Sequence, residues 1–343
     1  MSTLEDQKKK WSDFFESHNL SIDTKNSYLN YITPLISNKV PVIFELFHLS
    51  KLMNVSYVKL VEIINSPEKF YREFIIPKRT GGVRKISSPY PMLAFCQKWI
   101  YQEILKKKTI SSHCYAYVEG RTIVDNARVH LGENNLLKID LIDFFGTIKL
   151  NCVKDVFKDL GYSDSLSYFL ASLCCLNGSL PQGACTSPVI SNIVASRLDN
   201  RLFSLTKKMN FKYTRYADDL AFSGGDLNIG FISIIKKIVE SEGFIINEKK
   251  TIFKKNGDKK VVTGICITGD RARVTKSFRR EFRKSMFFLK KNGIKEFNGE
   301  IGIFDPLYIN RMLGKANFIL NVEPENDFAK NAYKLLTSKI SKP

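Results

Sequence analysis

The chain has 343 residues, of which 44% are hydrophobic and 25% are charged. This composition excludes an intrinsically disordered protein, and the length allows about two domains. No apolar run approaches the roughly 20 residues that cross a bilayer. The first twenty residues contain several acids and no apolar segment, so we expect no secretory signal. The seven cysteines and four histidines show no zinc-like spacing, which favours reduced thiols in the cytoplasm.

The net charge of +19, from 53 Lys and Arg against 34 Asp and Glu, is the first indication of a partner. Such an excess attracts polyanions and favours counterion release on contact with phosphates. A general solubility feature is the alternative reading of the charge. A role at a membrane surface is disfavoured because the basic residues are spread along the chain.

In chain order, the predicted elements are helical at both ends of the chain and rich in strands in the middle. Apolar spacing predicts helices over 4–75, a hairpin over 75–86 and a helix over about 91–108. A buried strand over 136–145 and helices over 151–176 and 188–209 follow. The last elements are a hairpin over 211–224, a helix over 228–242, short strands at 244–254 and 260–268, and basic helices from 275. These patterns predict an α+β fold.

Three carboxylates lie in or beside this apolar strand sequence: Asp140, and the adjacent pair Asp218 and Asp219 at the turn of the 211–224 hairpin. Burying carboxylates is costly unless they are paired or bind a metal ion. Adjacent aspartates repel each other, and a hard divalent cation with oxygen ligands relieves that repulsion. Two such ions could activate an attacking oxygen and stabilise a leaving one in nucleotidyl transfer. Ordinary turn chemistry is the alternative for an Asp-Asp pair.

The segment TRYADDLAFSG (214–224) resembles the YxDD motif of reverse transcriptases. The other blocks of that family follow in the family's order: KIDLIDFF (138–145), SLPQGACTSPVISNIVASRLD (179–199), GFIINEKKT (243–251) and VTGICI (262–267). The resemblance covers roughly residues 70–320. It implies a right-hand polymerase with a helical N-terminal extension over 1–40, fingers and palm over 41–260, and primer grip and thumb over 261–343.

Two shorter segments resemble the retron type within that family. VDNARVH (124–130) contains an NAxxH pattern, and Val262-Thr263-Gly264 is a VTG triplet. From the length of the sequence after 320, we expect neither an RNase H domain nor an intron-type extension. A stand-alone enzyme similar to group II intron or diversity-generating reverse transcriptases stays the alternative.

The resemblance implies roles for residues around the carboxylates. Asp140, Asp218 and Asp219 would be catalytic and would bind two Mg²⁺ or Mn²⁺ ions, with the Leu141 carbonyl as a further ligand. Asp143 is acidic in the matching block but is not among the catalytic three. Phe145 holds the ribose-gate position, where a bulky ring excludes a 2′-hydroxyl; a plain core ring is the alternative.

Further residues are implied to bind the incoming dNTP. Lys78 and Arg84 on the 75–86 hairpin would neutralise the triphosphate, with Lys85 as the alternative to Arg84 and solvated surface charges as the other reading. Gln182 and Gly183 would lie under the nascent base pair, the glycine allowing close backbone approach. Either Lys249 or Lys250 would assist release of pyrophosphate.

The remaining implied residues concern the primer and the RNA. They are Asn126, His130, Val262, Thr263 and Gly264, and, on the basic helical stretch 271–291, Arg279, Arg280 and Arg283. Asn126 and His130 are expected to organise RNA or protein structure and not to take part in chemistry.

The implied activity is RNA-directed DNA synthesis from dNTPs. For a retron type, the template is a structured noncoding RNA and the product is a branched RNA–DNA hybrid, msDNA, primed from an RNA 2′-hydroxyl. Such systems act in antiphage defence with an effector protein encoded nearby. A catalytically idle RNA-binding scaffold is the hypothesis from another class, and the intact Asp140, Asp218 and Asp219 argue against it.

Overall fold

The computed structural model describes residues 3–78, 81–301 and 306–340. The chain divides into two compact units, each assembled from three separate segments. The first unit contains Met1–Val118, Leu141–Arg201 and Lys236–Ile246. The second contains Glu119–Asp140, Leu202–Ile235 and Asn247–Pro343.

The first unit begins with four helices, α1 (Leu4–Ser17), α2 (Ile22–Ser37), α3 (Leu46–Met53) and α4 (Tyr57–Asn65). Thr3 opens α1 with a capping box: its side chain accepts from the Asp6 backbone and the Asp6 side chain accepts in return. Aromatic rings of α1, α2 and the following loop pack together, with Phe15 stacked on Tyr28 at 5.4 Å. This aromatic cluster packs α1 against α2 and the loop that follows.

A two-stranded antiparallel ribbon follows, made of β1 (Tyr71–Pro77) and β2 (Val83–Pro89). It is longer than the predicted hairpin at both ends. The other elements that lie wholly in the first unit are α5 (Pro91–Glu103), α7 (Phe144–Thr147), α8 (Leu150–Lys158), α9 (Asp164–Cys174) and α10 (Ser187–Val194). The chain passes between units within α11 (Ser196–Lys208) and α12 (Phe231–Ser241).

The second unit is built around a four-stranded sheet in the order β4-β5-β3-β6. The strands are β3 (Asn135–Leu141), β4 (Lys212–Tyr216), β5 (Asp219–Gly224) and β6 (Ile246–Lys254). In the central strand β5 the apolar residues Leu220, Ala221 and Phe222 are buried. Burial of this apolar sequence explains why the strand forms despite the acid at its start.

Helix α6 (Ile123–Val129) and a small sheet, β7 (Val261–Val262), β8 (Ile265–Cys266) and β9 (Arg273–Val274), complete the strand-rich part of this unit. Three long helices follow: α13 (Lys276–Ile301), α14 (Tyr308–Val322) and α15 (Asp327–Ile340). One hydrophobic core joins them to the strands, including Val124 of α6, Ala221 of β5, Val262 of β7 and Phe282 of α13. The C-terminal part of the chain, from Val262 onwards, therefore shares a core with strands β3 and β5, which carry Asp140 and Asp219.

The α+β class is confirmed, and most predicted elements are present with shifted ends. The strand predicted over 136–145 ends at Leu141, so Phe145 lies in the short helix α7. Helix α6 was not predicted. No helix in the described ranges is both long and apolar enough to cross a membrane.

Candidate active site

The pairing of three neighbouring strands brings the carboxylates together. Asp140 on β3 is paired with Asp219 on β5, and Asp219 is paired with Tyr216 on β4. The turn between β4 and β5 is therefore the two residues Ala217 and Asp218. Asp219 is the first residue of β5 and not part of the turn as predicted. All three aspartates lie at one end of the sheet of the second unit.

The turn before the aspartates has an unusual backbone. Ala217 has φ +58°, a left-handed conformation that costs a residue with a side chain about 1–2 kcal/mol. Its carbonyl oxygen accepts a hydrogen bond from Arg215 Nη1 at 3.2 Å, and the Arg215 side chain has no exposed surface. A buried guanidinium is rigid, so this contact helps to hold the turn and the adjoining Asp218 in place.

The electrostatics of the adjacent carboxylates of Asp218 and Asp219 are unfavourable in the protein alone. Burial, followed by repulsion from Asp219 and Asp140, raises the pKa of Asp218 above its ordinary value. Burial also raises the pKa of Asp219, with opposing contributions from the Lys138 ammonium and the Asp140 carboxylate. Negative charge at this end of the sheet is therefore under-compensated, and a bound cation would stabilise it.

Asp140 has two partners on β6. Lys250 Nζ lies 2.9 Å from Asp140 Oδ1 and 3.1 Å from Oδ2, and Asn247 Nδ2 donates to Oδ2 at 3.1 Å. Lys250, and not Lys249, is thus the lysine of the 243–251 block that contacts an aspartate. The contact with Asp140 raises the pKa of Lys250 above its ordinary value.

The donor set fits a divalent metal ion. Carboxylates, here two on the adjacent strands β3 and β5 and one in the turn before β5, are the hard oxygen ligands that Mg²⁺ and Mn²⁺ prefer. Within the described ranges, however, no three His, Cys, Asp or Glu side chains are already arranged to hold an ion. The Lys250 ammonium contacts Asp140, and Asp140 would exchange this partner on binding a metal ion.

The residues predicted to bind dNTP belong to the first unit. Phe145 is half-buried in α7, with its ring 6.4 Å from that of Tyr117, which is 53% exposed. The buried ring in this segment is its neighbour Phe144, stacked on Phe244. The Phe145 ring is therefore less buried than that of Phe144, and the gate role of Phe145 stays a prediction.

The loop at Gln182 and Gly183 is attached to strand β2. The Gln182 carbonyl accepts a hydrogen bond from the Ser87 amide at 2.7 Å. Gly183 has φ +125°, and a Cβ there would lie 2.7 Å from the Ser87 carbonyl oxygen. The close backbone approach at this glycine is made to β2, and its predicted place under the nascent base pair stays a prediction.

On the ribbon itself, Lys85 and Arg84 are distinguished by their contacts. Lys85 Nζ forms an ion pair with Glu73 at 2.7 Å. Across the described ranges no ion pair is recorded for Lys78 or Arg84, and both are exposed. This favours Arg84 over Lys85 as a residue available to a phosphate.

The residues predicted to contact primer or RNA divide into buried and exposed groups. Asn126, His130 and Val262 are at most 1% exposed. The prediction that these side chains contact RNA directly is therefore wrong, and they pack inside the protein instead. Thr263 and Gly264 form the two-residue turn between β7 and β8. Both have positive φ, +46° and +82°, as a type I′ turn requires.

The three arginines of α13 also differ from one another. Arg279 Nη2 lies 2.9 Å from Glu323 Oε1, and the same oxygen accepts from the Val274 amide, so Arg279 links α13 to the end of α14. Arg280 and Arg283 are exposed. Arg283 lies over the ring of Phe328 at 5.3 Å.

Four residues of interest were not found from the sequence: Arg215, Asn247, Lys138 and Tyr117. Nothing in the sequence indicated Asn247, Lys138 or Tyr117, whose placement depends on strand pairing and loop conformation.

Comparison with known proteins shows the family of this chain. A family model described as reverse transcriptase (RNA-dependent DNA polymerase) matches residues 76–265. Retron Ec86 reverse transcriptase of Escherichia coli is 30% identical over 88% of this chain and 91% of its own length. Retron Ec83 reverse transcriptase of the same species is 33% identical over 75% of this chain and 85% of its own. Retron Mx162 reverse transcriptase of Myxococcus xanthus is 32% identical, and here the chain spans only 53% of the relative's length.

Among solved structures, the telomerase of Candida albicans with an RNA fragment matches at 13% identity and a TM-score of 0.45. That match covers 78% of this chain and 61% of the telomerase chain. The chain belongs to the reverse transcriptases, which are RNA-directed DNA polymerases of the right-hand fold, and within them to the retron type.

Proposed function

We propose that this protein copies a dedicated structured noncoding RNA into msDNA, primed from an RNA 2′-hydroxyl, and that it serves a retron antiphage defence system in the cytoplasm. The observation that carries the polymerase chemistry is the strand pairing that places Asp140 opposite Asp219 and beside Asp218. The similarity to proteins named retron reverse transcriptases supports the particular product.

Asp140, Asp218 and Asp219 are proposed as the catalytic residues and, with the Leu141 carbonyl, as ligands of two Mg²⁺ or Mn²⁺ ions. Such ions supply activation of the attacking hydroxyl and charge stabilisation of the leaving pyrophosphate. In the reaction, a bond forms between the hydroxyl oxygen and the α-phosphorus of a dNTP, and the bond from the α-phosphorus to the pyrophosphate oxygen breaks. Lys250 is proposed to assist release of pyrophosphate by neutralising its negative charge, because it is the lysine in contact with Asp140.

Residues of the first unit are proposed to bind the incoming dNTP. Lys78 and Arg84 would contact the triphosphate, and the accessible Phe145 would exclude ribonucleotides. Gln182 and Gly183 would support the nascent base pair from a loop whose position is fixed by the bond to Ser87. These roles are supported by exposure and by backbone contacts, and each can be tested separately.

The RNA partner is proposed to contact exposed positive charge, including Arg280 and Arg283, and the turn at Thr263 and Gly264. Phosphate contacts of this kind make affinity dependent on salt. An effector protein encoded nearby is the further proposed partner. The alternative function is a stand-alone intron-like or diversity-generating reverse transcriptase that extends a 3′-hydroxyl.

Priming distinguishes the two functions. Protein, the RNA encoded beside its gene and dNTPs are incubated without any primer, and the product is then digested with RNase. DNA that keeps a 2′,5′-linked ribonucleotide is the expected result. DNA synthesis that occurs only after addition of a 3′-hydroxyl primer would support the alternative. An Asp218→Asn protein, in which no synthesis is expected from either primer, is the control for contaminating polymerases.

A further inference from the structure

The buried side chain of His130 connects β4 and β5, the two strands on either side of the turn that contains Asp218. Its Nδ1 lies 2.7 Å from Ser223 Oγ on β5, and its Nε2 lies 2.8 Å from Thr214 Oγ1 on β4. All three side chains are at most 1% exposed. The imidazole therefore joins β4 to β5 through their side chains, in addition to the backbone hydrogen bonds of the hairpin.

The contact reaches the face of the hairpin on which Asp219 lies. Side chains two residues apart on a strand share a face, so Ser223, Ala221 and Asp219 lie on one side of β5. Thr214 is paired with Ala221 and lies on the same side. A displacement of this face would move Asp219, and Asp218 with it.

His130 acts here as a neutral group. Burial, and after it the nearby Lys212 ammonium, lowers the pKa of His130 to about 3. A neutral imidazole has one donor and one acceptor nitrogen, and each hydroxyl can take either role, so both hydrogen bonds are satisfied. Such a group holds structure and does not exchange protons at neutral pH.

The other end of the same segment is held by the β7–β8 turn. Thr263 Oγ1 donates a hydrogen bond to the carbonyl of Ile123, the first residue of α6, at 2.9 Å. Thr263 does so from a left-handed conformation that β-branched residues rarely adopt. A capping box of Thr122 and Asp125 fixes the start of the helix.

We propose that α6 and His130 set the position of the Asp218–Asp219 hairpin relative to the Thr263–Gly264 turn, with His130 and Thr263 as positioning residues at the two ends. This proposal rests on the proposed role of the aspartates. The proposal gives one shared structural role to NAxxH and VTG, two segments that lie far apart in the sequence. Misplacement of reacting groups by about 1 Å can cost about 100-fold in rate, which gives such a connection a catalytic consequence.

The test removes one hydrogen bond at a time with little change of shape. Ser223→Ala deletes the hydroxyl that contacts His130 Nδ1. Ser167→Ala is the matched control: Ser167 is also fully buried, and its Oγ donates to the Tyr162 carbonyl within the first unit. Thr263→Val deletes the bond at the other end of α6. Amide hydrogen exchange of the peptides covering 212–224 reports on the hairpin without requiring any activity.

We expect Ser223→Ala and Thr263→Val each to speed exchange in 212–224 by about fivefold or more, and Ser167→Ala to leave it unchanged. On a primed template, kcat should fall about 10- to 100-fold, while KM for dNTP changes little and the shape of the pH–rate profile is preserved. The double variant should lose less than the product of the single losses, because both act through α6.

Equal exchange in Ser223→Ala, Ser167→Ala and wild type would overturn the proposal whatever the polymerase activity. Independent effects of Ser223→Ala and Thr263→Val would overturn the connection through α6. An inactive wild-type protein would instead refute the proposed function, and the exchange data would still decide whether His130 holds the hairpin.

Discussion

Lys250 Nζ lies within 3.1 Å of both carboxylate oxygens of Asp140, so a side-chain cation and a metal ion would compete for the same ligand. The Lys250 side chain is 59% exposed and that of Asp140 is 15% exposed. A pair so open to water is weak, and it can be exchanged for a stronger ligand at little cost. Lys250 thus reduces the repulsion among the aspartates without blocking the binding of a metal ion to Asp140.

The first prediction follows from this competition. Lys250→Met should strengthen Mn²⁺ binding by about two- to fivefold, the free-energy equivalent of one exposed ion pair. Lys249→Met, which removes an exposed charge at the adjacent position, should change the Mn²⁺ affinity less. Calorimetric titration with Mn²⁺ measures both variants. Equal affinities for the two would show that the Lys250–Asp140 contact does not limit metal binding.

The second prediction concerns the carboxylates. Asp218→Asn should lower DNA synthesis by about 10³-fold or more, because it removes a ligand charge at the reacting centre. Its melting temperature in EDTA should not fall, since burial and the neighbouring acids disfavour the charged form of Asp218. Asp226→Asn, at the other end of the same hairpin, is the control and should keep both properties. Wild-type DNA yield from Asp218→Asn would refute the assignment.

The third prediction concerns sugar selection. Phe145→Val should raise the ratio of kcat/KM for rNTP to that for dNTP, because a smaller side chain leaves space for the 2′-hydroxyl. Phe144→Leu, at the neighbouring buried ring, should lower stability without changing the ratio. Steady-state kinetics with each nucleotide measures the effect. A ratio that does not change in folded Phe145→Val would make Phe145 a packing residue only.

The fourth prediction concerns the loop bonded to β2. Gly183→Ala should destabilise the protein more than Gly178→Ala, although both glycines have positive φ. At Gly178 there is open space, so the cost is the backbone strain of about 1–2 kcal/mol. At Gly183 the new Cβ would also contact the Ser87 carbonyl oxygen. Urea unfolding compares the two, and equal losses would contradict the close approach.

The fifth prediction concerns pH. The pKa of His130 is near 3 in the fold and about 6.5 in the unfolded chain, so below pH 6.5 the unfolded state binds a proton that the native state does not. The contribution of His130 to the free energy of unfolding is therefore complete above pH 6.5. It is lost as the pH falls towards 3, by about 1.4 kcal/mol per pH unit. His130→Gln should lose this slope between pH 6 and 4.5, whereas the exposed His18→Gln should keep it. Urea unfolding at several pH values measures the difference.

The strand and turn around the aspartates could be predicted because alternation and turn residues are local signals. The apolar residues of KIDLIDFF and the Ala-Asp-Asp turn indicated two neighbouring strands with acids. The register was not available from the sequence, because it depends on which residue of β5 is paired with Asp140. This is why Asp219 was placed in the turn and is in fact a strand residue.

Helix α6 shows a second limit of prediction from the sequence. Seven residues are too few to reveal a helical period, and the capping box has Asp125 in place of the commoner Glu or Gln. The burial of His130 and Arg215 was equally hidden, since both are residue types that are usually exposed or half-exposed. Their partners come from distant parts of the chain or from the turn geometry, which a single sequence does not display.

The alternation of the chain between two units has a consequence for synthesis on the ribosome. Strand β3 emerges with Asp140 long before its partner β5, which follows roughly 4–16 s later at about 5–20 residues per second. During that interval an apolar strand has unpaired edges, a condition that favours aggregation. The first unit is also incomplete until its last segment, Lys236–Ile246, has been synthesised. We therefore expect the nascent chain to depend on chaperones, and chains truncated before β5 to be insoluble.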